Sequence, residues 1–268
     1  MKLGFIGGGN MAAALIGGLR RRANGDEEIV VVERDPARRG LLERDFGVAT
    51  RATVDAGLQG STIVLLAVKP ADLQPVCEAL GKLPGERLVL SIAAGIPSAA
   101  IARWCGTEAV VRAMPNTPAL IGQAITGLFA RGGVSTEQRA AAAQTMRVIG
   151  EVVWFADEAM LDAVTAISGS GPAYVFYFIE ALQGAAHQMG MDAEQARHFA
   201  VQTFVGAAQL AAQSTEDIAL LRERVTSKGG TTAAALAHLQ QADVAAAIAG
   251  AAFAALERSR EMARTLAG

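Results

Sequence analysis

The feature that most constrains the fold is a regular alternation of strand-like and helix-like segments over the first 157 residues. Near-continuous apolar runs such as Ile63–Val68 suit strands that are buried on both faces. Strands that alternate with helices join through right-handed crossovers, so this pattern predicts a mostly parallel sheet with helices on both faces. The predicted strands are Leu3–Gly7, Ile29–Glu33, Thr62–Val68, Leu88–Ala93, Val110–Met114 and Val152–Phe155.

The composition changes after Asp157, where strand-like runs give way to alanine-rich helical patterns. We therefore predict an α/β domain over residues 1–157 and an all-α domain over residues 158–268. The helix that begins at Pro172 is apolar over most of its circumference and must be surrounded, which favours packing between two copies in a homodimer. Helices are predicted at 158–167, 172–189, 192–213, 216–225, 232–240 and 243–265.

Composition narrows the class of partner and the compartment. A net charge of -2 argues against nucleic acid or an anionic membrane surface and favours a small-molecule ligand. Cys77 and Cys105 form neither a metal-ligand spacing nor a disulfide framework, which is typical of a reducing compartment. The apolar stretch Leu3–Leu19 looks like a secretory signal, but Arg20–Arg22 stand where a cleavage site would be expected. We expect a cytoplasmic protein with no membrane partner and no metal site.

A glycine fingerprint lies between the first predicted strand and a helix. Gly7, Gly9 and Ala12 form a Gly-x-Gly-x-x-Ala pattern, and Asn10 and Met11 fall inside it. The first glycine permits a tight turn, the second lets the backbone approach a pyrophosphate, and the alanine lets the helix pack on the strand. The helix N-terminus then favours an anion, so the pattern predicts a dinucleotide site. A glycine-rich turn without a ligand is the alternative.

Two charged residues at the end of the second strand give conflicting signals about the dinucleotide. Glu33 is placed to accept hydrogen bonds from the adenosine ribose, which favours NAD. Arg34 is placed to hold the 2′-phosphate of NADP. Both are alternatively ordinary solvated charges.

Three further segments end strands at the same edge of the sheet, where ligands of open parallel sheets bind. Lys69 is predicted to approach the cofactor ribose and Asn116 to hold the nicotinamide carboxamide, while small residues leave room for a flat ring. Alternatively, each segment is an ordinary loop in which proline, asparagine and glycine form the turns. The candidate cofactor residues in these segments are Ala67, Val68, Lys69, Pro70, Ala93, Ala94, Gly95 and Asn116.

Two glycine-rich loops in the helical half are candidates for binding a carboxylate. Ser168–Pro172 and Thr226–Thr232 each feed a helix N-terminus, where free amides and hydroxyls form anion pockets. Capping loops with Ser170 and Thr232 as N-caps are the alternative. The candidate substrate residues are Ser168, Gly169, Ser170, Ser227, Gly229, Gly230, Thr231 and Thr232.

From end to end, the chain resembles the pyrroline-5-carboxylate reductase family. The resemblance rests on the Gly7 fingerprint, on the strand-end segments Ala67–Pro70, Ser91–Gly95 and Met114–Pro118, and on the two glycine loops. It implies a Rossmann-like domain followed by a helical dimerisation domain, with interlocked subunits and further assembly of dimers. It also implies reduction of pyrroline-5-carboxylate to proline, with NADP(H) preferred to NAD(H).

The resemblance implies that the Ser227–Thr232 loop holds the substrate carboxylate and that the hydroxyl of Thr232, the catalytic candidate, meets the ring nitrogen. Tyr174 is the rival proton donor. Three departures from the family pattern affect the site. Lys228 stands where proline is common, Asp217–Ile218 replaces a pair that ends in proline, and the family usually places neutral residues around Glu33.

Two other functions stay open from the sequence. β-Hydroxyacid dehydrogenases also join a Rossmann domain to a helical one, but they need a catalytic lysine, and none occurs between Asp157 and Ser227. The second is a noncatalytic NADPH-binding sensor.

An imine needs only a group that orients its nitrogen and relays a proton to it. A site without a strong acid therefore suits imine reduction better than carbonyl reduction.

Overall fold

The computed structural model describes residues 1–22 and 27–266. Within these residues a single sheet of eight strands has the order β3-β2-β1-β4-β5-β6-β7-β8. All neighbouring strands are parallel except β6 and β7, which are antiparallel. The mostly parallel sheet predicted from the sequence is confirmed. In chain order the strands are Lys2–Ile6, Glu28–Val32, Ala49–Arg51, Ile63–Leu66, Leu88–Ser91, Val110–Met114, Ala124–Ala130 and Gly150–Trp154.

Two separate hydrophobic cores cover the two faces of this sheet. Alternate residues of β1 belong to different cores, since Leu3 and Phe5 pack in one and Ile6 packs in the other. A strand with both faces buried needs apolar side chains at every position, which explains the continuous apolar runs in the sequence. The helices that alternate with the strands of the sheet are α1 Asn10–Arg20, α2 Pro36–Phe46, α3 Leu73–Gly81, α4 Ser98–Cys105 and α5 Thr136–Met146.

Helices dominate the rest of the described chain. At the start of α8, Asp192 accepts a hydrogen bond from Gln195 N at 2.8 Å, which confirms its prediction as an N-cap. No single described helix is long and apolar enough to span a bilayer, although the bent pair α10 and α11 together meets the length and composition criteria. The remaining helices are α6 Met160–Val164, α7 Gly171–Gln188, α8 Ala193–Gln213, α9 Ile218–Arg224, α10 Thr231–Gln241 and α11 Val244–Leu266.

Two strands were not predicted from the sequence, β3 and β7. The short strand β3 has only three residues, and Gly127 interrupts the apolar pattern of β7. The glycine serves packing, because a Cβ on Gly127 would lie 3.0 Å from both γ-carbons of Val164 on α6. A position that looks like a strand breaker is therefore the place where a helix approaches the sheet.

By their internal contacts, the residues form two compact units. The first comprises 1–170 with 255–268, and the second comprises 171–254. In the second unit α7 packs against α8, and Ala196 and Ala200 are buried on α8. The domain boundary after residue 157 rests on composition and stays a prediction.

Candidate active site

The turn after β1 has a backbone shape that only glycine adopts without strain. Gly7 has φ +98°, and a Cβ at this position would lie 2.5 Å from the carbonyl oxygen of Ala67. Its N–H donates to Val32 O at 2.8 Å, which fixes the turn to the end of β2. The fingerprint therefore has the strand, tight turn and helix that a dinucleotide site requires.

The second glycine of the fingerprint leaves open space. A Cβ on Gly9 would meet no heavy atom of the described residues within 4 Å. Gly9 is the N-cap of α1, and a glycine has no side chain with which to cap this helix end. The first amides of α1 and the positive end of its dipole are thus available to an anion that approaches the Gly9 backbone.

A cleft of about 560 Å³ opens beside this turn, within the size range of small-molecule sites. It is bounded by the glycine turn, the ends of β2 and β4, and one side of α3. Ala12, on the buried face of α1, is fully buried, which suits a small residue where the helix packs on the sheet. The predicted cofactor residues that line the cleft are Gly7, Gly9, Glu33, Arg34, Ala67, Val68 and Lys69.

Glu33 is turned toward the glycine turn. Its Oε2 accepts from Gly8 N at 2.8 Å, and its Oε1 accepts from Asp35 N at 3.0 Å. The carboxylate therefore ties the end of β2 to the turn after β1. Arg34 is largely exposed in the same cleft, 3.7 Å from the Asp72 carboxylate.

Arg38 is a cleft residue that the sequence reasoning missed. It lines the cleft, and its Nη2 donates to Asn10 Oδ1 at 2.8 Å, which places it beside the N-terminus of α1. The missed signal is electrostatic. Arg38 and Arg39 lie in the first turn of α2, where the helix dipole disfavours cations, and a local violation of this kind often marks a functional site.

The other strand-end segments lie at the carboxyl ends of β5 and β6. Gly95 is buried with φ +71°, and a Cβ there would lie 3.0 Å from Met262 Cβ on α11. Asn116 uses its Oδ1 to accept from Ile125 N at 3.1 Å, which holds the start of β7. The predicted contacts of Asn116 and of Ala93–Gly95 with a nicotinamide ring stay predictions.

The segment Ser168–Pro172 is not the open loop that its composition suggested. Thr165–Gly169 form a π-helical turn, in which Ser170 N donates to Thr165 O at 2.8 Å. The Ser168 hydroxyl is also engaged, since it donates to Val164 O at 3.1 Å. Small residues allow the widened turn, and a Cβ on Gly169 would lie 2.6 Å from Met114 Cε. Two predicted motifs, at Met114 and Ser168, are thus neighbours.

In the second unit, the glycine loop before α10 turns sharply at Gly229, which has φ +73°. Gly230, rather than Thr232, is the N-cap of α10, and a glycine has no side chain with which to cap this end. A Cβ on Gly230 would clash with Ser227 Oγ, so the missing side chain leaves room for the Ser227 hydroxyl beside the helix N-terminus. Thr232 is the second residue of α10 and is half-buried.

Comparison with known proteins identifies the family. The chain is 42% identical to the pyrroline-5-carboxylate reductase of Pseudomonas aeruginosa over 267 residues, which cover 99% of this chain and 98% of that protein. The chain belongs to the pyrroline-5-carboxylate reductase family. Family models match residues 158–262, described as pyrroline-5-carboxylate reductase dimerisation, and residues 2–95, described as NADP oxidoreductase, coenzyme F420-dependent.

Solved structures agree with this assignment. The Coxiella burnetii pyrroline-5-carboxylate reductase has a TM-score of 0.91 and 38% identity, with 97% of each chain covered. The Plasmodium falciparum pyrroline carboxylate reductase, solved with NADP bound, has a TM-score of 0.83 and 26% identity, with 98% of each chain covered. The resemblance inferred from the motifs is confirmed, and the chain is an NAD(P)-dependent oxidoreductase.

A partly buried ionic contact in this pyrroline-5-carboxylate reductase family member was also missed by the sequence reasoning. Glu158 Oε1 accepts from Arg112 Nη1 at 2.7 Å and from Ser98 N at 2.6 Å, while its Oε2 accepts from Ser98 Oγ at 2.6 Å. Burial alone would raise the pKa of Glu158, but the hydrogen bonds from Ser98 and Arg112 outweigh burial and hold the pKa below its usual value.

This contact predicts how stability depends on pH. A pKa lowered by folding stabilises the chain fully above the ordinary glutamate pKa of about 4.3, and the contribution is lost as the pH falls toward the folded-state value. Glu158→Gln should therefore lower the free energy of unfolding at neutral pH, by about 3 kcal/mol, because the buried Arg112 guanidinium would lose its counter-charge. In thermal unfolding followed by circular dichroism, the difference in Tm between variant and wild type should shrink in acid. A constant difference at all pH values would contradict the assignment.

Proposed function

We propose that this chain reduces 1-pyrroline-5-carboxylate to L-proline with hydride from NAD(P)H, the last step of proline synthesis. The observation that carries this proposal is the glycine turn, where Gly7 packs against Ala67 and Gly9 opens the N-terminus of α1. The proposal is also supported by 42% identity, over nearly the whole chain, to the pyrroline-5-carboxylate reductase of Pseudomonas aeruginosa. The reaction adds hydride to the imine carbon and a proton to the ring nitrogen, so that a secondary amine forms.

The residues of the cleft fit a dinucleotide. Uncapped amides of α1 suit its pyrophosphate, and Gly9 presents no side chain that would block the approach. When bound, the reduced nicotinamide supplies the hydride. The residues proposed to hold the whole dinucleotide are Gly7, Gly9, Asn10, Met11, Ala12, Glu33, Arg34, Ala67, Val68, Lys69, Pro70, Ala93, Ala94, Gly95 and Asn116.

The substrate carboxylate is proposed to bind at the N-terminus of α10. Gly230 leaves this helix end uncapped, and the Ser227 hydroxyl lies beside it. Thr232, one residue into α10, is proposed to orient the imine nitrogen and relay its proton. The proposed substrate residues are Ser168, Gly169, Ser170, Ser227, Gly229, Gly230, Thr231 and Thr232.

We propose that the preferred cofactor is NADP(H). Glu33 already accepts from two backbone amides, so its carboxylate is held at the turn. Arg34 and Arg38 both line the cleft and offer guanidinium groups to a 2′-phosphate. The Plasmodium falciparum relative solved with NADP gives further support.

Removing either arginine should therefore distinguish the two cofactors. Arg34→Ala and Arg38→Ala should each weaken NADPH binding about tenfold, as expected for a lost charge-assisted hydrogen bond, and leave NADH binding nearly unchanged. Dissociation constants from cofactor fluorescence titrations provide the measurement. Arg44→Ala, at the other end of α2 and exposed, removes the same charge as a control. Equal losses for both cofactors would remove the assignment of the phosphate site.

We also propose a cytoplasmic homodimer formed through the helical half. On α7, Phe176 and Tyr177 are 66% and 70% exposed in the single chain, an unusual exposure for large aromatic side chains. A match to a dimerisation model over residues 158–262 supports the same conclusion. Sedimentation of the purified protein tests it, and a monomer at micromolar concentration would contradict it.

The deciding experiment for the activity follows the loss of reduced nicotinamide absorbance. The full chain is mixed with NADPH or NADH and with pyrroline-5-carboxylate, and proline is quantified at the end. Stoichiometric proline formation is expected. Cofactor binding without oxidation would favour a sensor. Oxidation of NAD(P)H only when a keto acid replaces pyrroline-5-carboxylate, with a hydroxyacid as the product, would favour a dehydrogenase.

A further inference from the structure

Glu158 and Asp162 lie one helical turn apart, before and within α6, and neither belongs to the predicted site. Glu158 joins two parts of the sheet region that are distant in sequence. Its carboxylate accepts from the amide and hydroxyl of Ser98 at the start of α4, and from Arg112 on β6. Arg112 is 7% exposed, so this carboxylate is the counter-charge of a buried cation.

Asp162 makes the second connection. Its Oδ1 accepts from the Ser259 hydroxyl at 2.6 Å, and Ser259 is only 4% exposed. This bond fixes the C-terminal part of α11 to α6. Three residues further along α11, Met262 lies against Gly95, since a Cβ on Gly95 would be 3.0 Å from Met262 Cβ and 3.4 Å from Met262 Cε.

The two connections hold opposite ends of one short segment. Residues 95–98 run from Gly95, which contacts Met262, to Ser98, which is bonded to Glu158. Gly95 has φ +71° and is buried, so the backbone here has a shape set by its surroundings and little room to move. Both anchors lead back to residues 158–162, just before and within α6.

We infer that Glu158 and Asp162 are positioning residues that hold Ala93–Gly95 in place for hydride transfer. The inference rests on the proposed function, in which Ala93–Gly95 flank the reactive ring. Glu158 acts through Ser98, and Asp162 acts through Ser259 and Met262. The C-terminal part of α11 is thereby part of the hydride-transfer apparatus, although it contains none of the proposed binding residues.

Weakening either anchor should affect transfer more than binding. The glycine turn, Arg34 and Arg38 lie along the cleft beside β1, β2 and β4, apart from these anchors, so the main cofactor contacts stay intact. Hydride transfer depends steeply on the alignment of donor and acceptor, and a misplacement of about 1 Å lowers rates by up to about 100-fold.

The test removes one hydroxyl from α11. Ser259→Ala should lower kcat about tenfold, increase the primary isotope effect on kcat with 4-deuterated cofactor, and leave the dissociation constant of NAD(P)H within twofold, as expected for a lost positioning contact. Thr265→Ala is the matched control, because among the described residues this hydroxyl bonds only within α11, to Glu261 O. Met262→Ala, which leaves the polar contacts untouched, should show the same pattern as Ser259→Ala.

The outcomes separate this inference from the proposed function. If wild type does not oxidise NAD(P)H with pyrroline-5-carboxylate, the proposed function fails before any variant is made. If wild type is active but Ser259→Ala and Met262→Ala match Thr265→Ala in kcat and isotope effect, the positioning role is overturned and the contacts serve stability alone. A lower Tm with an unchanged isotope effect leads to the same conclusion.

Discussion

Thr232→Ala is expected to lose most turnover, about 100-fold in kcat, the lower range for removal of a positioned proton-transfer group. Thr232 is the second residue of α10, so its hydroxyl lies in the first turn of the helix. The substrate carboxylate is proposed to bind at the N-terminus of this helix. The glycine turn and the cleft, which are proposed to hold the cofactor, are formed by other residues. Cofactor affinity should therefore stay at the wild-type value, as measured by fluorescence titration.

A matched variant isolates the hydroxyl. Thr232→Ser keeps the oxygen and loses one methyl group, so it should retain most of the activity that Thr232→Ala loses. Unchanged turnover in Thr232→Ala would assign the proton relay to Tyr174 or to water, and Tyr174→Phe would then show the loss. Steady-state kinetics with both cofactors, over a range of substrate concentration, provides the measurement.

The fold was predictable where a local pattern has a single physical meaning. Runs such as Ile63–Val68 are apolar at every position, which suits a strand buried on both faces, and β4 lies within this run. Strand β7 was missed because its pattern is broken by Gly127, and the reason for that glycine is the approach of Val164 from α6. Such a reason lies in a contact across 37 residues of sequence and is not visible locally.

In the candidate site, too, local features were predictable from the sequence and contacts between distant residues were not. The backbone demand on Gly7 is local and was predicted, whereas the direction of the Glu33 side chain depends on Gly8, which is 25 residues away. Ser168–Pro172 was misread as an open loop because glycine and serine favour loops, whereas Ser168 and Gly169 lie in a π-helical turn and Gly171 begins α7. Glu158 carried no sequence signal, since its partners Ser98 and Arg112 are 60 and 46 residues distant.

Gly9→Asp should move stability and cofactor affinity in opposite directions. Gly9 has φ -66° and ψ 178°, a normal N-cap conformation, and α1 has neither a side-chain cap nor an acidic residue in its first turn. An aspartate there should cap the helix and complement its dipole, adding up to about 1 kcal/mol to the free energy of unfolding. Its carboxylate would occupy the position proposed for the pyrophosphate, so the dissociation constant of NAD(P)H should rise at least about 100-fold, or about 2.7 kcal/mol.

Two companion variants in the glycine turn separate the effect of charge from that of backbone shape. Gly9→Asn supplies a cap of the same shape without the charge, so it should weaken binding less than Gly9→Asp. Gly7→Ala should instead destabilise the chain, because its Cβ would lie 2.5 Å from Ala67 O at a φ of +98°. Thermal unfolding and fluorescence titration on all three variants give the comparison. Wild-type affinity in Gly9→Asp would mean that the anion does not bind at the N-terminus of α1, and the cofactor site proposed at this turn would have to be abandoned.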